Sequence, residues 1–237
     1  MLILLPPSEG KATPASRGRP VDLDTLTFPH LRETRRAILD AVLAAADPPT
    51  NALLAGRPAS PAAGVYTGVL YAALDYPSLS PGAKRRAYGS VLVQSALWGP
   101  VGLADRIVPY KLAMDSQLPI LGPLAARWRA VLDPVLTDRA GSGVVVDCRS
   151  ATYAAAWRPV GALARRTVAV RAFTETRGRR TIVSHWAKQT RGEVTRWLLE
   201  APRAPQTPAA VARIVSQHAR CELADLGRAG WALDVLI

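Results

Sequence analysis

The sequence has few of the residue types that build disulfide frameworks or metal centres. Its 237 residues include only two cysteines, Cys148 and Cys221, and three histidines that lie far apart. It contains no CxxC pair, and no grouping of His, Cys and carboxylates has the spacing of metal ligands. We therefore expect no disulfide framework, no structural metal and no cofactor, as is typical of a protein from a reducing cytoplasm.

Long apolar segments are also missing. No apolar run approaches the roughly 20 residues that a membrane span needs, and the opening MLILLPPSEGK lacks the basic region of a signal peptide. Hydrophobic residues nevertheless make up 49% of the chain, which is enough for a sizeable core. We expect one cytoplasmic, monomeric domain over residues 1–237 that makes no contact with a membrane.

Acidic residues are scarce relative to basic ones. The chain has 18 Asp and Glu against 30 Lys and Arg, a net charge of +12, and residues 151–200 hold ten of these cations against three acids. Such an excess can form a face that attracts phosphates, and the alternative interpretation is solubility with a composition biased towards arginine. Lysines are so few that a specific use for their amines is indicated. They are Lys11, Lys84, Lys111 and Lys188.

Hydrophobic patterning predicts a mixture of strands and helices. The predicted strands are at residues 2–5, 144–148, 167–173, 181–186 and 231–237. The predicted helices are at residues 29–46, 81–97, 120–132, 187–200 and 208–219. A β-hairpin with a basic tip followed by a basic helix would occupy about 167–200. Because strands and helices do not alternate regularly, we expect an α+β fold with a mixed sheet surrounded by helices.

The segment from residue 97 to 115, LWGPVGLADRIVPYKLAMD, predicts a tight turn between helices. Gly99 and Gly102 are three residues apart, and each can adopt a positive φ without steric cost. Backbone amides exposed at such a turn, with helical flanks, can hold a phosphate. The alternative interpretation is a connector between packed helices. We expect a helix-hairpin-helix element at about 84–115.

Five segments resemble blocks of one known family, in that family's order along the chain. They are PPSEGK, GVYTG, LWGPVGLADRIVPYKLAM, VVVDCRSATY and HWAKQTRGEVTRWLLE. The resemblance is to the YaaA family of bacterial peroxide stress proteins. It implies an α/β arrangement around a positively charged cleft, a helix-hairpin-helix element and DNA binding. It also implies protection against hydrogen peroxide, with less free iron and less oxidative DNA damage in the cell.

The resemblance and the charge pattern together predict the residues of an interface. The predicted nucleic-acid-binding residues are Gly99, Gly102, Arg106, Lys111, Arg177, Arg179, Arg180, Lys188, Arg191 and Arg196. The predicted cleft residues are Ser8, Glu9, Lys11, Tyr66, Thr67, Tyr110, Ser150 and Tyr153. The tyrosines would stack on an unpaired base or, alternatively, be buried with one satisfied hydroxyl. Ser8 and Glu9 would form a small catalytic pair or a loop cap.

Departures from the family pattern put a shared substrate in doubt. GPVGLAD stands where the family often has GVLRPLD, so a cation is missing at the turn. Lys111 replaces the usual arginine. Ala113 replaces a glutamate, for which Asp115 lies two residues on.

Two functions from different classes follow from these observations. The first is a DNA-binding protein of the peroxide stress response that prefers bent, gapped or bulged duplexes. The alternative is an enzyme acting on a nucleobase or nucleotide, with Lys11, Lys111 or Lys188 central. In its sharpest form the Lys111 amine attacks a sugar carbon, or the Asp115 carboxylate supports developing positive charge. Lys111 and Asp115 are equally compatible with a phosphate contact beside a surface carboxylate. Direct iron sequestration is disfavoured because ligands are scarce, and whether the protein catalyses a reaction stays open.

Overall fold

A mixed β-sheet forms the centre of the protein. The computed structural model describes residues 1–13, 15–45, 54, 56–176, 179–181 and 184–236, and for residues 175, 176, 179, 180, 184 and 185 it describes the backbone only. The strands are β1 (Leu2–Leu5), β2 (Ser60–Pro61), β3 (Val91–Ser95), β4 (Gly99–Gly102), β5 (Arg106–Ile107), β6 (Gln117–Leu118), β7 (Gly122–Pro123), β8 (Val145–Asp147), β9 (Thr167–Thr176), β10 (Arg179–Thr181), β11 (Cys221–Asp225) and β12 (Trp231–Leu236).

Seven of these strands form the main sheet, in the order β11-β12-β9-β8-β1-β3-β4. The five inner strands run parallel, whereas β11 and β4 pair antiparallel at the two ends. β10 pairs antiparallel with β9, and two short ribbons, β2-β5 and β6-β7, lie outside the main sheet. The predicted α+β class with a mixed sheet surrounded by helices is therefore confirmed.

Helices pack around this sheet. They are α1 (Arg32–Ala45), α2 (Ala62–Val65), α3 (Val69–Leu74), α4 (Pro81–Ser90), α5 (Leu124–Ala140), α6 (Ala151–Ala154), α7 (Gly161–Ala164), α8 (Ser184–Glu200) and α9 (Pro208–Val215). All four residues of β1 are buried, as expected for a parallel strand that is covered on both faces. Among the described residues, no helix combines the length and the apolar character that a membrane crossing requires.

The predicted helix-hairpin-helix at 84–115 is wrong. α4 ends at Ser90, and the chain continues through β3 and β4, which pair with each other, and then through the short strand β5. The run Val91-Leu92-Val93 favours this outcome, because β-branched side chains pack well on a pleated sheet. Within residues 84–115, all of which are described, no helix follows the turn.

The basic hairpin is shorter than the sequence predicts, and the following helix begins earlier. The predicted strand at 181–186 is wrong, because β10 ends at Thr181 and α8 already begins at Ser184. Arg177 lies outside the described residues. Arg179 and Arg180 belong to β10, opposite Thr176 and Glu175, but their side chains are not described.

Candidate functional site

The candidate site lies at the carboxyl ends of β1, β3 and β8. β1 pairs with β3 on one side and with β8 on the other. β1 and β8 are neighbours in the sheet. Along the chain, the next strand of the main sheet after β1 is β3, which lies on the far side of β1 from β8, whereas the next after β8 is β9, which lies on the far side of β8 from β1. In open sheets of parallel strands, ligands bind at such a point, where successive connections leave in opposite directions. The loops after β1 and β8 therefore border the place where a ligand site is expected.

Lys11 lies in the loop after β1 and is held by backbone groups. Its Nζ donates to the carbonyl of Ser8 at 2.9 Å and to that of Glu9 at 3.4 Å, and it lies 4.4 Å from the centroid of the Tyr110 ring. Its backbone forms an isolated antiparallel bridge with Tyr66. Burial lowers the pKa of Lys11 to about 8, although the nearby charge of Glu9 acts in the opposite direction.

Buried hydroxyl groups surround Tyr110, whose ring Lys11 covers. The backbone N–H of Trp98 donates to Ser95 Oγ at 2.8 Å, and Ser95 Oγ donates to Tyr110 Oη at 2.7 Å. Tyr66 lies close to Ser95 and Tyr110, and burial raises its pKa well above the ordinary value. We call Lys11, Tyr66, Ser95 and Tyr110 the Lys11 cluster. Because burial also raises the pKa of Tyr110, both tyrosines stay neutral and act as hydrogen-bonding groups.

The faces of the two clustered tyrosines are already occupied. The Tyr66 ring stacks on that of Tyr71 at 5.4 Å between centroids, and the Tyr71 hydroxyl donates to the carbonyl of Pro6 at 2.7 Å. The Tyr110 ring meets Trp98 edge to face at 6.4 Å and carries Lys11 over its own face. Tyr66 and Tyr110 are 3% and 5% exposed. The cluster therefore offers polar atoms rather than aromatic surfaces on which a base could stack.

Four buried polar atoms lack hydrogen-bond partners among the described residues. Among the described residues, the buried side-chain atoms that make no hydrogen bond are Tyr66 Oη, both amide atoms of Gln94, and Arg149 Nη1. Gln94 is the penultimate residue of β3, and Arg149 follows β8 by two residues. A buried polar atom without a partner costs about 1–3 kcal/mol.

Arg149 is held by the end of its own strand. Its guanidinium donates to both carboxylate oxygens of Asp147, at 2.9 and 2.7 Å, and to the carbonyl of Trp157 at 2.8 Å. The pair is largely buried, which fixes the loop after β8 in one conformation. That loop continues into α6, where Ser150 occupies the N-cap position without a side-chain cap bond.

Tyr153, at the third position of α6, links this loop to the segment after Tyr110. Burial, and to a smaller extent the charge of Asp115, raises the pKa of Tyr153 to about 12, while a hydrogen bond to the Met114 backbone lowers it. Lys111 and Asp115 are both exposed, and Lys111 makes an interaction within the chain. The structure thus brings Asp115 close to Tyr153.

Ser8 closes the loop after β1. Its hydroxyl donates to the carbonyl of Gly10 and accepts from the backbone N–H of Thr67 at 3.0 Å. Ser8 therefore ties two of the predicted cleft segments together, as a loop cap would. Glu9 is exposed beside it.

Gly99 and Gly102 do not present amides to solvent, because both lie in the buried strand β4. The N–H of Gly102 donates to Asp105 Oδ2 at 2.9 Å. A Cβ added to Gly99 would meet the ring of Trp128 at 2.5 Å. These glycines allow close packing of the chain, and they are left out of the interface proposed below.

The predicted cations on α8 point in different directions. At about 100° per residue, Arg191 and Arg196 are about 140° apart around the helix, and they therefore lie on different faces of α8. Arg191 Nε donates to the carbonyl of Val170 in β9 at 3.4 Å. Arg196 instead donates to the Leu74 carbonyl at 3.1 Å, at the end of α3. Lys188 is exposed and makes no hydrogen bond or ion pair within the described part of the chain.

Several other arginines bind backbone carbonyls. Arg35 is fully buried, and its guanidinium donates to the carbonyls of Trp98, Phe28, Thr27 and Pro100. Arg106 is exposed, and its guanidinium donates to the Ala59 carbonyl. Part of the positive charge therefore stabilises loops and turns rather than a binding surface. The described residues contain no group of three or more His, Cys, Asp or Glu that could hold a metal ion.

Sequence reasoning missed Ser95, Gln94, Tyr71 and Arg149. Ser95 and Gln94 fell inside a predicted helix, so their place at the end of a strand was not expected. The Val-Leu-Val run before them, bounded by Gly89-Ser90, was the available signal of a strand. Arg149 directly precedes Ser150, but no local pattern distinguishes a buried arginine from an exposed one.

The chain is similar to known proteins along its length. The family model described as "Peroxide stress protein YaaA" matches residues 1–217. The UPF0246 protein SCO2297 of Streptomyces coelicolor is 43% identical over 261 residues, which cover 100% of this chain and 98% of that protein. The UPF0246 protein CE1889 of Corynebacterium efficiens is 35% identical over 235 residues, 90% of this chain and 91% of that protein. The matched residues include the loops after β1, β3 and β8.

Proposed function

The chain belongs to the YaaA family of peroxide stress proteins, and from this premise we propose that it binds DNA in the peroxide stress response, limiting oxidative DNA damage and free iron. The family membership confirms the resemblance carried by the five sequence blocks. The observation that carries DNA binding is the net charge of +12, part of which remains on exposed side chains. These include Lys111, Arg158 and Lys188. Phosphate contacts of such cations position a duplex without reading its sequence.

The state of the cysteines supports protection of DNA rather than a thiol-based response to peroxide. Cys148 is fully buried, and burial raises the pKa of its thiol to about 12 in spite of the opposing effects of Arg191 and Thr195. Burial also raises the pKa of Cys221. Peroxide reacts with thiolates at accessible sites. The two cysteines therefore lack the features of a redox sensor.

Binding across a salt series tests the proposal. Fluorescence anisotropy with intact, gapped and bulged duplexes should show affinity falling by about 10³-fold or more between about 50 and 200 mM salt, if at least six phosphates are contacted. A gapped or bulged duplex should bind more tightly than the intact one. Affinity that does not change with salt would contradict the proposal.

Matched lysine variants locate the interface. Replacing Lys111 and Lys188 together by glutamine should lower the slope of log affinity against log salt by about 1.8, because each lost phosphate contact removes about 0.9. The control is Lys84→Gln, which removes the same charge from an amine that donates to the Pro77 carbonyl at 2.7 Å. Equal effects of the double variant and the control, per charge removed, would show that only net charge matters.

A second function, an enzyme acting on a nucleobase or nucleotide, is favoured by the environment of Lys11. An amine with a pKa of about 8 is partly neutral at physiological pH and can act as a nucleophile or base, which a guanidinium cannot. The Lys11 cluster also supplies neutral tyrosine hydroxyls that can bind an oxygen atom of a substrate. Incubation with modified DNA and free nucleosides, followed by mass spectrometry, detects such an activity, and the absence of any product favours binding alone.

A further inference from the structure

We propose that Lys11 forms a covalent imine with the aldehyde of a ring-opened deoxyribose, as found at an abasic site in DNA, and that the hydroxyls of Tyr66 and Tyr110 hold the aldehyde oxygen. This inference rests on the second function above. It names the electrophile and assigns separate roles to three residues of the Lys11 cluster.

The orientation of the hydroxyl protons in the Lys11 cluster favours an oxygen acceptor as the ligand. Ser95 accepts from the Trp98 amide and donates its own proton to Tyr110 Oη. Tyr110 therefore keeps its own proton to donate, either to the neighbouring Tyr66 hydroxyl or to a bound acceptor. The buried hydroxyl of Tyr66 lies beside Ser95 and Tyr110, but it makes no hydrogen bond of good geometry within the described residues. Two neutral donors near one amine form a site for an oxygen acceptor, such as an aldehyde oxygen.

The charge environment of Lys11 favours a neutral amine. Its amine is held by two backbone carbonyls and a tyrosine ring, and no carboxylate lies within ion-pair distance among the described residues. At its pKa of about 8, about a tenth of the amine is neutral at pH 7, against roughly 0.03% at the ordinary pKa. Lys11 is only half-buried, and so an aldehyde can reach it from solvent.

The Lys11 cluster lies where a substrate can approach the sheet. Lys11 and Ser95 come from the loop after β1 and the end of β3, at the edge of the sheet where ligands of parallel sheets bind. Ser8 and Glu9 accept hydrogen bonds from Lys11 through their carbonyls, and of the two Glu9 is exposed and Ser8 half-buried. A substrate can therefore approach by displacing a short surface loop rather than by opening the core.

The chemistry balances without any further reactant. The neutral Lys11 amine attacks the aldehyde carbon, and the carbon–oxygen π electrons move to the oxygen, which the tyrosine hydroxyls stabilise. A proton transferred from nitrogen to oxygen gives a carbinolamine. Loss of the hydroxyl group with the second amine proton as water then gives the imine. Both tyrosines donate hydrogen bonds and stay neutral throughout.

Borohydride trapping tests the inference. The full chain is incubated with a duplex containing an abasic site, or with 2-deoxyribose 5-phosphate, and the imine is reduced to a stable amine. Peptide mapping by mass spectrometry should place the adduct on Lys11. Lys11→Arg, which keeps the charge, should abolish it, whereas the matched Lys84→Arg variant should trap like the wild type. Tyr66→Phe keeps the ring on Tyr71 and should slow trapping at least about tenfold.

The outcomes separate this inference from DNA binding. An adduct on another lysine, or equal trapping by Lys11→Arg, overturns the assignment. Normal DNA affinity without an adduct from either aldehyde overturns the inference but leaves DNA binding standing. An adduct on Lys11 from the sugar phosphate, without DNA binding, supports the inference and removes DNA as the source of the aldehyde. Thermal melting of each variant confirms folding, and Tyr66→Phe provides the second test if Lys11→Arg does not fold.

Discussion

Replacing Gly99 with alanine tests whether the Gly-Pro-Val-Gly segment is packed inside the protein. Gly99 has φ +67°, and an added Cβ would lie 2.5 Å from Cη2 of Trp128. That ring is fully buried, and its N–H donates to the Ala96 carbonyl at 2.8 Å, so it cannot move away freely. Left-handed backbone costs alanine about 1–2 kcal/mol and overpacking about 1–3 kcal/mol. We expect the free energy of unfolding to fall by about 2–5 kcal/mol.

Chemical denaturation and thermal melting measure this loss. For a chain of this size, each kcal/mol shifts the melting midpoint by about 2–4 °C, so Gly99→Ala should lower it by roughly 5–20 °C. Gly64→Ala is the matched control, because a Cβ at Gly64 meets no atom within 4 Å and the position is exposed. It should change the free energy of unfolding by less than about 1 kcal/mol.

The opposite result would refute the reasoning. If the segment were an exposed hairpin that holds phosphate, Gly99→Ala would leave the melting midpoint unchanged and weaken DNA binding. A stable variant with reduced DNA affinity would therefore contradict the buried strand β4.

Two further predictions concern titrating groups. In the native protein at neutral pH, iodoacetamide and hydrogen peroxide should modify Cys148 far more slowly than the half-buried Cys221, because the Cys148 thiol is fully buried with a pKa of about 12. Mass spectrometry measures both rates of modification. Fast modification of Cys148 would contradict its burial. Between pH 8 and the ordinary lysine value of 10.5, the unfolded chain binds more protons at Lys11 than the folded chain does, so the free energy of unfolding of the wild type should rise with pH relative to Lys11→Met. Denaturant titrations across this window measure the difference, and parallel curves for the two proteins would show that burial does not lower the Lys11 pKa.

Local patterns were sufficient for much of the fold. The apolar run Leu2–Leu5 predicted β1, and the pattern at 208–219 predicted α9, because each depends mainly on nearby residues. The two wrong elements lie where short apolar runs are ambiguous. The sequence pattern of residues 91–95 predicted the continuation of a helix, but these residues form β3. The pattern of residues 184–186 predicted a strand, but these residues begin α8. Residues 91–95 form a strand because they pair with β1. The sequence did not reveal this, since a strand that is buried on both faces of a parallel sheet lacks the alternation of apolar and polar residues by which strands are identified.

The candidate site could be predicted only in part. The motifs indicated Lys11, Tyr66 and Tyr110, but not that Lys11 covers Tyr110 or that Tyr71 covers Tyr66. Those contacts removed the aromatic faces and left the hydroxyls as the available groups. The basic helix shows the same division. Its cations were evident from the sequence, whereas their partners on α3 and β9 depend on how the helix is rotated against its neighbours.

The sequence by itself determined the family, the α+β class and the chemistry that this protein has available, because motif order, charge and residue types are properties of the chain alone. Only the tertiary structure decided which of those residues meet. The ladder that aligns Leu4 with Leu92 and with Asp147 joins segments far apart in the chain, and burial then determines which amines and hydroxyls are charged, neutral or without partners. Pairing of distant strands and loss of solvent are properties of the packed molecule, so no local pattern contains them.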